Sequence, residues 1–347
     1  MSADDDRPEA DREGGLPHPR RVYDLFGQDA ALTEAEAAIQ SGRMHHAWMV
    51  SGPKGVGKAS FAYRLARRLL GAQARPDSAL SSDPLDPVCR RLEALSHPDF
   101  LLIRRPYNDK TGKLKGEIPV EEARRAPEFF SKSASGKGWR VCIVDSADEL
   151  NTNSANALLK TLEEPPQRGL LILIVNTPGR LLPTIRSRCR RLILRAPSIE
   201  ATTQWLIDHH QMPSDEAQRA SALAQGAPGR ALALAETDAP ALMATIDAAL
   251  SNLPRLDRSA IAQLASAAGR KGGEQIKPIT LDFLVADAQN RARALALETG
   301  GADKAGAWVN AADRLTRLAR ESDTLYLDPK QTLYAAFSLM QDAAQAD

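Results

Sequence analysis

The sequence is poor in cysteine, in aromatic residues and in net charge. Three of its 347 residues are cysteine, Cys89, Cys142 and Cys189, and they are widely spaced. Three such residues cannot build a disulfide framework, which points to a reducing compartment. Lysine and arginine total 45 against 44 aspartate and glutamate, a formal charge of +1. That excludes a polycation that coats nucleic acid by net charge alone, while leaving local patches open. No uninterrupted apolar run approaches the roughly 18 residues of a membrane span. The opening MSADDDRPEADREGG is acidic and has no apolar stretch, unlike a secretory leader. A soluble, cytoplasmic chain without membrane contact is therefore expected. Aromatic residues are only 5% of the chain, but 43% is apolar and 26% charged, which is a globular composition. At roughly 100–200 residues per domain, the length requires more than one domain.

Along the chain, residues 1–20 are polar and carry Pro8, Gly14, Gly15, Pro17 and Pro19. They read as a disordered, solvated tail. From 21 to 197, apolar runs alternate with helical segments. The expected strands are 47–50, 100–103, 141–144, 170–175 and 191–194. Their runs are continuous rather than alternating, as in strands buried on both faces of a parallel sheet. After Pro197 the strand pattern stops. Ser198 is placed to cap a helix over 199–209, and Ser214 one over 215–225 that stops at Gly226. A short helix begins near 230. Residues 198–245 thus form a small helical unit, and 246–347 a second, with Leu281, Leu284, Val285 and Ala288 on one helix face and Trp308, Ala312, Leu315 and Ala319 on another.

The run Gly52-Pro53-Lys54-Gly55-Val56-Gly57-Lys58 lies between a strand and a helix. It matches seven of the eight positions of a phosphate loop. Gly52, Gly55 and Gly57 let backbone N–H groups converge on phosphate, and Lys58 neutralises the terminal phosphates. The eighth position is Ala59, where working enzymes use a hydroxyl to hold Mg²⁺. Ser60 is one residue late, about 100° around the helix, and should point away. ATP could bind through backbone and Lys58, with Mg²⁺ poorly held. A second departure follows the strand 141–144. Asp145 stands where such folds place the carboxylate that supports Mg²⁺. Ser146 follows it, and a hydroxyl does not act as a base near neutral pH without help. Asp148 and Glu149 sit on the next turn, where their charge suits a helix start. Either departure alone should slow hydrolysis by orders of magnitude.

Downstream come Leu182-Pro183-Thr184-Ile185-Arg186-Ser187-Arg188-Cys189 and, before them, Asn153-Ser154-Ala155-Asn156-Ala157-Leu158-Leu159-Lys160-Thr161-Leu162-Glu163-Glu164-Pro165-Pro166. With Asp145-x-Ala147-Asp148, these runs resemble bacterial replicative clamp-loader subunits of the AAA+ class. The resemblance covers most of 22–197, and Gly229-Arg230 matches the lid arginine.

It implies an α/β AAA+ parallel-sheet domain (21–197), a helical lid (198–245) and an all-helical collar (246–347). It implies partners as well: gamma/tau-like motor subunits and a delta-like subunit in a hetero-pentameric ring, with a sliding clamp and primed DNA met through the assembly. Family members that keep Ser-Arg-Cys while losing motor residues supply an arginine finger to a neighbour, and here that residue is Arg188. Asn176 takes the place of the polar phosphate sensor, and Arg230 that of the lid sensor.

The alternatives are a motor subunit that uses Ser60 and Asp148 as substitutes, and another AAA+ ATPase such as a branch-migration helicase. Cys89 and His97 alone cannot complete a four-coordinate site, so no zinc is expected. The cations Lys54, Arg64, Arg67 and Arg68 form either a solvated face or a track for DNA.

Overall fold

Runs of Val, Ile and Leu without polar alternation form strands that need cover on both faces. In the computed structural model the described residues are 9–12, 16–76, 78–110, 112–132, 138–235, 239–270, 273, 276–297, 302–325 and 327–346. The chain divides after Thr237 into two units.

In the first unit, helix α1 (Asp29–Gln40) precedes strand β1 (Ala47–Ser51), and α2 (Lys58–Leu69) and α3 (Pro87–Glu93) precede β2 (Phe100–Ile103). Helix α4 (Val120–Ser131) leads to β3 (Arg140–Val144), α5 (Thr152–Glu163) to β4 (Gly169–Val175), and α6 (Pro183–Arg186) to β5 (Arg190–Ile193). These five strands make one sheet in the order β2-β3-β4-β1-β5. Every pairing in it is parallel. In that order the inner strand β1 runs into the phosphate loop, as expected of an AAA+ domain. Two short antiparallel pairs, Ala74–Arg75 with Ser78–Ser82 and Tyr107–Asn108 with Lys113–Leu114, decorate it.

The pleat sends alternate side chains to opposite layers. Trp48, Val50, Ile143 and Ile172 pack with Phe61 and Leu65 of α2. Met49, Cys142, Leu171 and Leu173 pack with Ala123 of α4 and with Leu158 and Leu162 of α5. All residues of β1, β3 and β4 are buried. Each large apolar side chain so buried contributes about 1.5–3 kcal/mol.

Helices α7 (Ile199–His210), α8 (Ser214–Leu223) and α9 (Pro228–Ala235) complete the first unit. Ser198 caps α7 by accepting from Ala201 N at 3.1 Å. Ser214 is the first helical residue of α8 rather than its cap; Pro213 holds the cap position and makes no side-chain hydrogen bond there. Gly226 closes the turn after α8 at φ +78°.

The second unit holds α10 (Ala239–Leu250), α11 (Arg258–Ala268), α12 (Ile276–Ala296), α13 (Ala302–Thr324) and α14 (Pro329–Ala346). The expected boundary between 245 and 246 falls inside α10, an apolar helix that the sequence reading had cut in two. Leu281, Leu284 and Ala288 of α12, Trp308, Ala312 and Leu315 of α13, and Phe337 and Met340 of α14 are buried. Arg291 lies over the Trp308 ring at 5.0 Å and pairs with Asp287 at 2.6 Å. Among the described residues, no helix is long and apolar enough to cross a membrane.

Part of the expected tail, 1–8 and 13–15, lies outside the described residues. The rest does not behave as a tail. Asp11 and His18 are buried. His18 pairs with Asp11 at 2.9 Å, Arg104 pairs with Glu9 at 2.7 Å and with Asp11, and Arg20 pairs with Glu9 at 3.1 Å. The counter-charges come from Arg104, beyond β2, and so lie too far along the chain for a local reading to anticipate.

Candidate functional site

The first unit carries a cleft of about 1080 Å³, bordered among others by Gly55, Gly57, Lys58, Asp145, Asn176 and Trp205. Its floor is the phosphate loop. Gly57, at φ +99°, stands before α2, and Gly55 has φ +76°. A Cβ on Gly55 would sit 2.4 Å from Arg230 N, so only glycine fits there. The start of α9 reaches the loop through backbone: Gly229 N donates to Gly55 O at 2.8 Å. Arg230 therefore meets the loop through its main chain, and its side chain is not among those bordering the cleft.

The buried Lys58 donates to Gly52 O at 2.8 Å and to Pro53 O at 2.6 Å. Its ammonium thus braces the loop from within. Ala59 offers no oxygen. Ser60 borders the cleft instead of turning away from it.

At the end of β3, Asp145 is buried, and its carboxyl is pushed up to about 8. Burial is the main cause. The charges of Asp11 and Glu149 add to it, against the pull of Lys58 and Arg104. A carboxyl held up in this way resists ionisation and is a poor metal ligand. With Ala59 in place of a hydroxyl, this donor set does not fit Mg²⁺. Ser146 holds a left-handed backbone at φ 56° and receives the Asn176 amide at 3.4 Å.

Asp148 is buried and accepts from Asn176 N at 3.0 Å and from Thr177 N at 3.2 Å. Its carboxylate holds the turn after β4, a role beyond the helix-start charge and the substitute base expected of it. The same geometry removes it as a substitute base. Replacing Asp148 with alanine should leave two N–H groups short of a partner. The expected cost is about 1–3 kcal/mol, read as a lowered urea midpoint with little change in m.

The raised Asp145 carboxyl fixes a pH dependence. An unfolded aspartate titrates near 3.8 and the folded one near 8. Between those values the folded protein binds the extra proton, so this contribution to stability is full below the window and is lost as pH rises through it. Asp145→Asn should raise the thermal midpoint at pH 8 more than at pH 5. Equal shifts at both pH values would contradict the assignment.

The N-terminal segment is the part that sequence reasoning missed. Asp11 borders the cleft and adds a carboxylate to a place built for phosphate. Burial works against its ionisation, but His18 and Arg104 outweigh burial and hold the carboxyl below its usual range. The basic face of α2 also differs from expectation. Arg64 and Arg67 are buried. Arg64 donates to Tyr23 O at 2.9 Å, and Arg67 donates to Val22 O at 3.1 Å and to Arg20 O at 2.5 Å. Arg67 also lies 3.8 Å from the centre of the Tyr23 ring. The incoming segment brings backbone carbonyls that need donors, and these arginines supply them.

Phe26 stacks on Trp205 of α7 at 5.2 Å, at one side of the cleft. Cys89 is buried and its thiol is pushed up, chiefly by burial. The described residues include no cluster of three or more His, Cys, Asp or Glu able to hold a metal.

Arg188 stands apart from the cleft. It follows α6, and its side chain is 36% exposed. It donates to Thr184 O at 2.9 Å and pairs with Glu163 at 3.0 Å. The neighbouring Cys189 is buried, its thiol pushed up to about 12 by burial, so it is a packing residue rather than a nucleophile. Arg190 is engaged as well, by Glu34 at 2.8 Å.

A five-stranded parallel sheet with a phosphate loop, and a part-exposed Arg188 that is not among the residues bordering the cleft, define a phosphate-loop α/β chain with a cation set apart from that loop. Residues 27–198 match the family described as DNA polymerase III, delta subunit. A DNA polymerase III subunit delta' of Escherichia coli (strain K12) is 35% identical over 202 residues, covering 58% of this chain and 58% of that protein. One from Pseudomonas aeruginosa is 34% identical over 184 residues, covering 53% of each chain. The tau subunit of Escherichia coli (strain K12) is 33% identical over 185 residues, 52% of this chain and 26% of that one. The chain thus spans just over half the length of the delta' relatives it matches. Over the matched residues it is similar to the delta' subunits of DNA polymerase III.

Proposed function

We infer that the chain works as the delta-prime-like subunit of a bacterial DNA polymerase III clamp loader, in the cytoplasm. In this reading it hydrolyses little or no ATP itself and lends Arg188 to the active centre of an adjoining gamma/tau-like motor subunit. A delta-like subunit completes a five-membered ring, which opens a sliding clamp and sets it on primed DNA. The second unit would be the collar and α7–α9 the lid.

The observation that carries the reading is the split between the two sites. Arg188 lies outside the cleft and half in solvent, bonded to Thr184 and Glu163. The cleft meanwhile has Ala59 and a buried Asp145 where Mg²⁺ chemistry needs charged oxygen ligands, and it adds the Asp11 carboxylate where phosphate would lie. A guanidinium presented this way can stabilise charge that develops on a neighbour's γ-phosphate. The alternative of a motor subunit loses support because Asp148 is committed to the sensor turn. The test is reconstitution with motor subunits, comparing DNA-stimulated phosphate release with and without Arg188.

A further inference from the structure

The last residue of α5 is Glu163. A carboxylate there faces the negative end of the helix dipole, and Glu164 follows directly. Such a placement is unfavourable unless a cation answers it. Arg188 does so, from a different part of the chain, at 3.0 Å. The same guanidinium donates through its other terminal nitrogen to Thr184 O at 2.9 Å.

Two fixed bonds on two terminal nitrogens set the plane of a guanidinium, where one bond would leave it free to rotate. A guanidinium carries five N–H donors, so the Nε–H and one N–H on each terminal nitrogen stay open. Both ends of the Glu163–Arg188 pair are part-exposed, at 50% and 36%. A pair like that adds little to stability, because solvent screens it. Its effect is on orientation, which matters for a cation that must meet a transition state in one geometry.

We propose that Glu163 is the positioning residue of the arginine finger. It anchors Arg188 from behind, with three donors left for an anionic oxygen on a neighbouring chain. This rests on the reading of Arg188 given above. The carboxylate itself touches no phosphate. It acts through Arg188 by reducing the orientations the side chain must give up in the transition state.

The test uses the assembled loader with its motor subunits, carrying wild type, Glu163→Ala, Glu163→Gln, Arg188→Ala or the Glu163→Ala/Arg188→Ala double variant in this chain. Ring assembly is checked by gel filtration, and DNA-stimulated hydrolysis is measured against ATP concentration. Glu163→Ala should lower kcat at the adjoining site by roughly 10-fold with KM for ATP unchanged, since orientation rather than binding is lost. Glu163→Gln, which keeps an acceptor oxygen, should recover part of the rate. The double variant should be no slower than Arg188→Ala alone, because two residues that act as one unit are not additive. Wild-type kcat in Glu163→Ala, or a double variant well below Arg188→Ala, overturns the proposal while leaving the role of Arg188 standing. Wild-type hydrolysis in Arg188→Ala removes both together.

Discussion

In a reconstituted loader, Arg188→Ala should lower hydrolysis at the adjoining motor site by about 10³-fold or more, the scale on which arginine fingers act. The loss should fall on kcat, because the guanidinium meets charge that grows only in the transition state. Arg188→Lys should rescue little, since a point charge on a flexible stem cannot reproduce a planar fork. The effect should not be one of folding. Arg188 is 36% exposed, and its partner Glu163 is 50% exposed, so the pair is a surface one worth at most about 1 kcal/mol. Single-turnover phosphate release, with the other motor sites disabled, separates loss at the adjoining site from the ring average. A melting curve on the same variant should overlay the wild type.

The second large effect is an absence of turnover where the sequence has most of a phosphate loop. The purified chain should hydrolyse ATP at least about 10³-fold more slowly than a working motor subunit, from two independent deletions in one reaction. On the proposed reading, Ala59 stands where a metal ligand is needed and Ser146 where a base is needed. The structure adds two further obstacles: Asp145 is buried with its carboxyl pushed up to about 8, and Asp11 borders the same cleft. Lys58→Ala then becomes a diagnostic. In a motor it would abolish hydrolysis. Here Lys58 braces Gly52 O and Pro53 O, so its removal should lower the melting temperature by a few degrees, on the order of 1–2 kcal/mol. Any residual phosphate release should be unaffected. Turnover that is substantial in the wild type and lost in Lys58→Ala would instead mean a working site.

Much of the α/β layer was legible because its signals are local. The expected strand 141–144 is β3 with one residue added, Arg140. Likewise 170–175 is β4 with Gly169 added. Continuous aliphatic runs leave few other structures for such segments. The phosphate loop was legible for the same reason, since spacing alone sets seven of its positions. What the sequence hid depends on contacts distant in the chain. Arg67 looked like a solvated cation on α2, and its acceptors are carbonyls more than 40 residues earlier, on Val22 and Arg20. Asp11 looked like tail charge until Arg104 is placed beside it. Asp148 looked like helix-start charge, and its donors lie across a strand, on Asn176 and Thr177. The helix Ala239–Leu250 carries only Thr245 and Asp247 as polar residues, too few to mark its length in the sequence.

The most direct check is a distance. A structure of the full loader, bound to primed DNA and a non-hydrolysable ATP analogue, should show the Arg188 guanidinium within about 3 Å of a γ-phosphate oxygen held by the neighbouring subunit. If that side chain is found turned to bulk water, or folded toward Gly55 and Lys58 of its own chain, with the neighbour's nucleotide out of reach, the lending of a cation between subunits is contradicted.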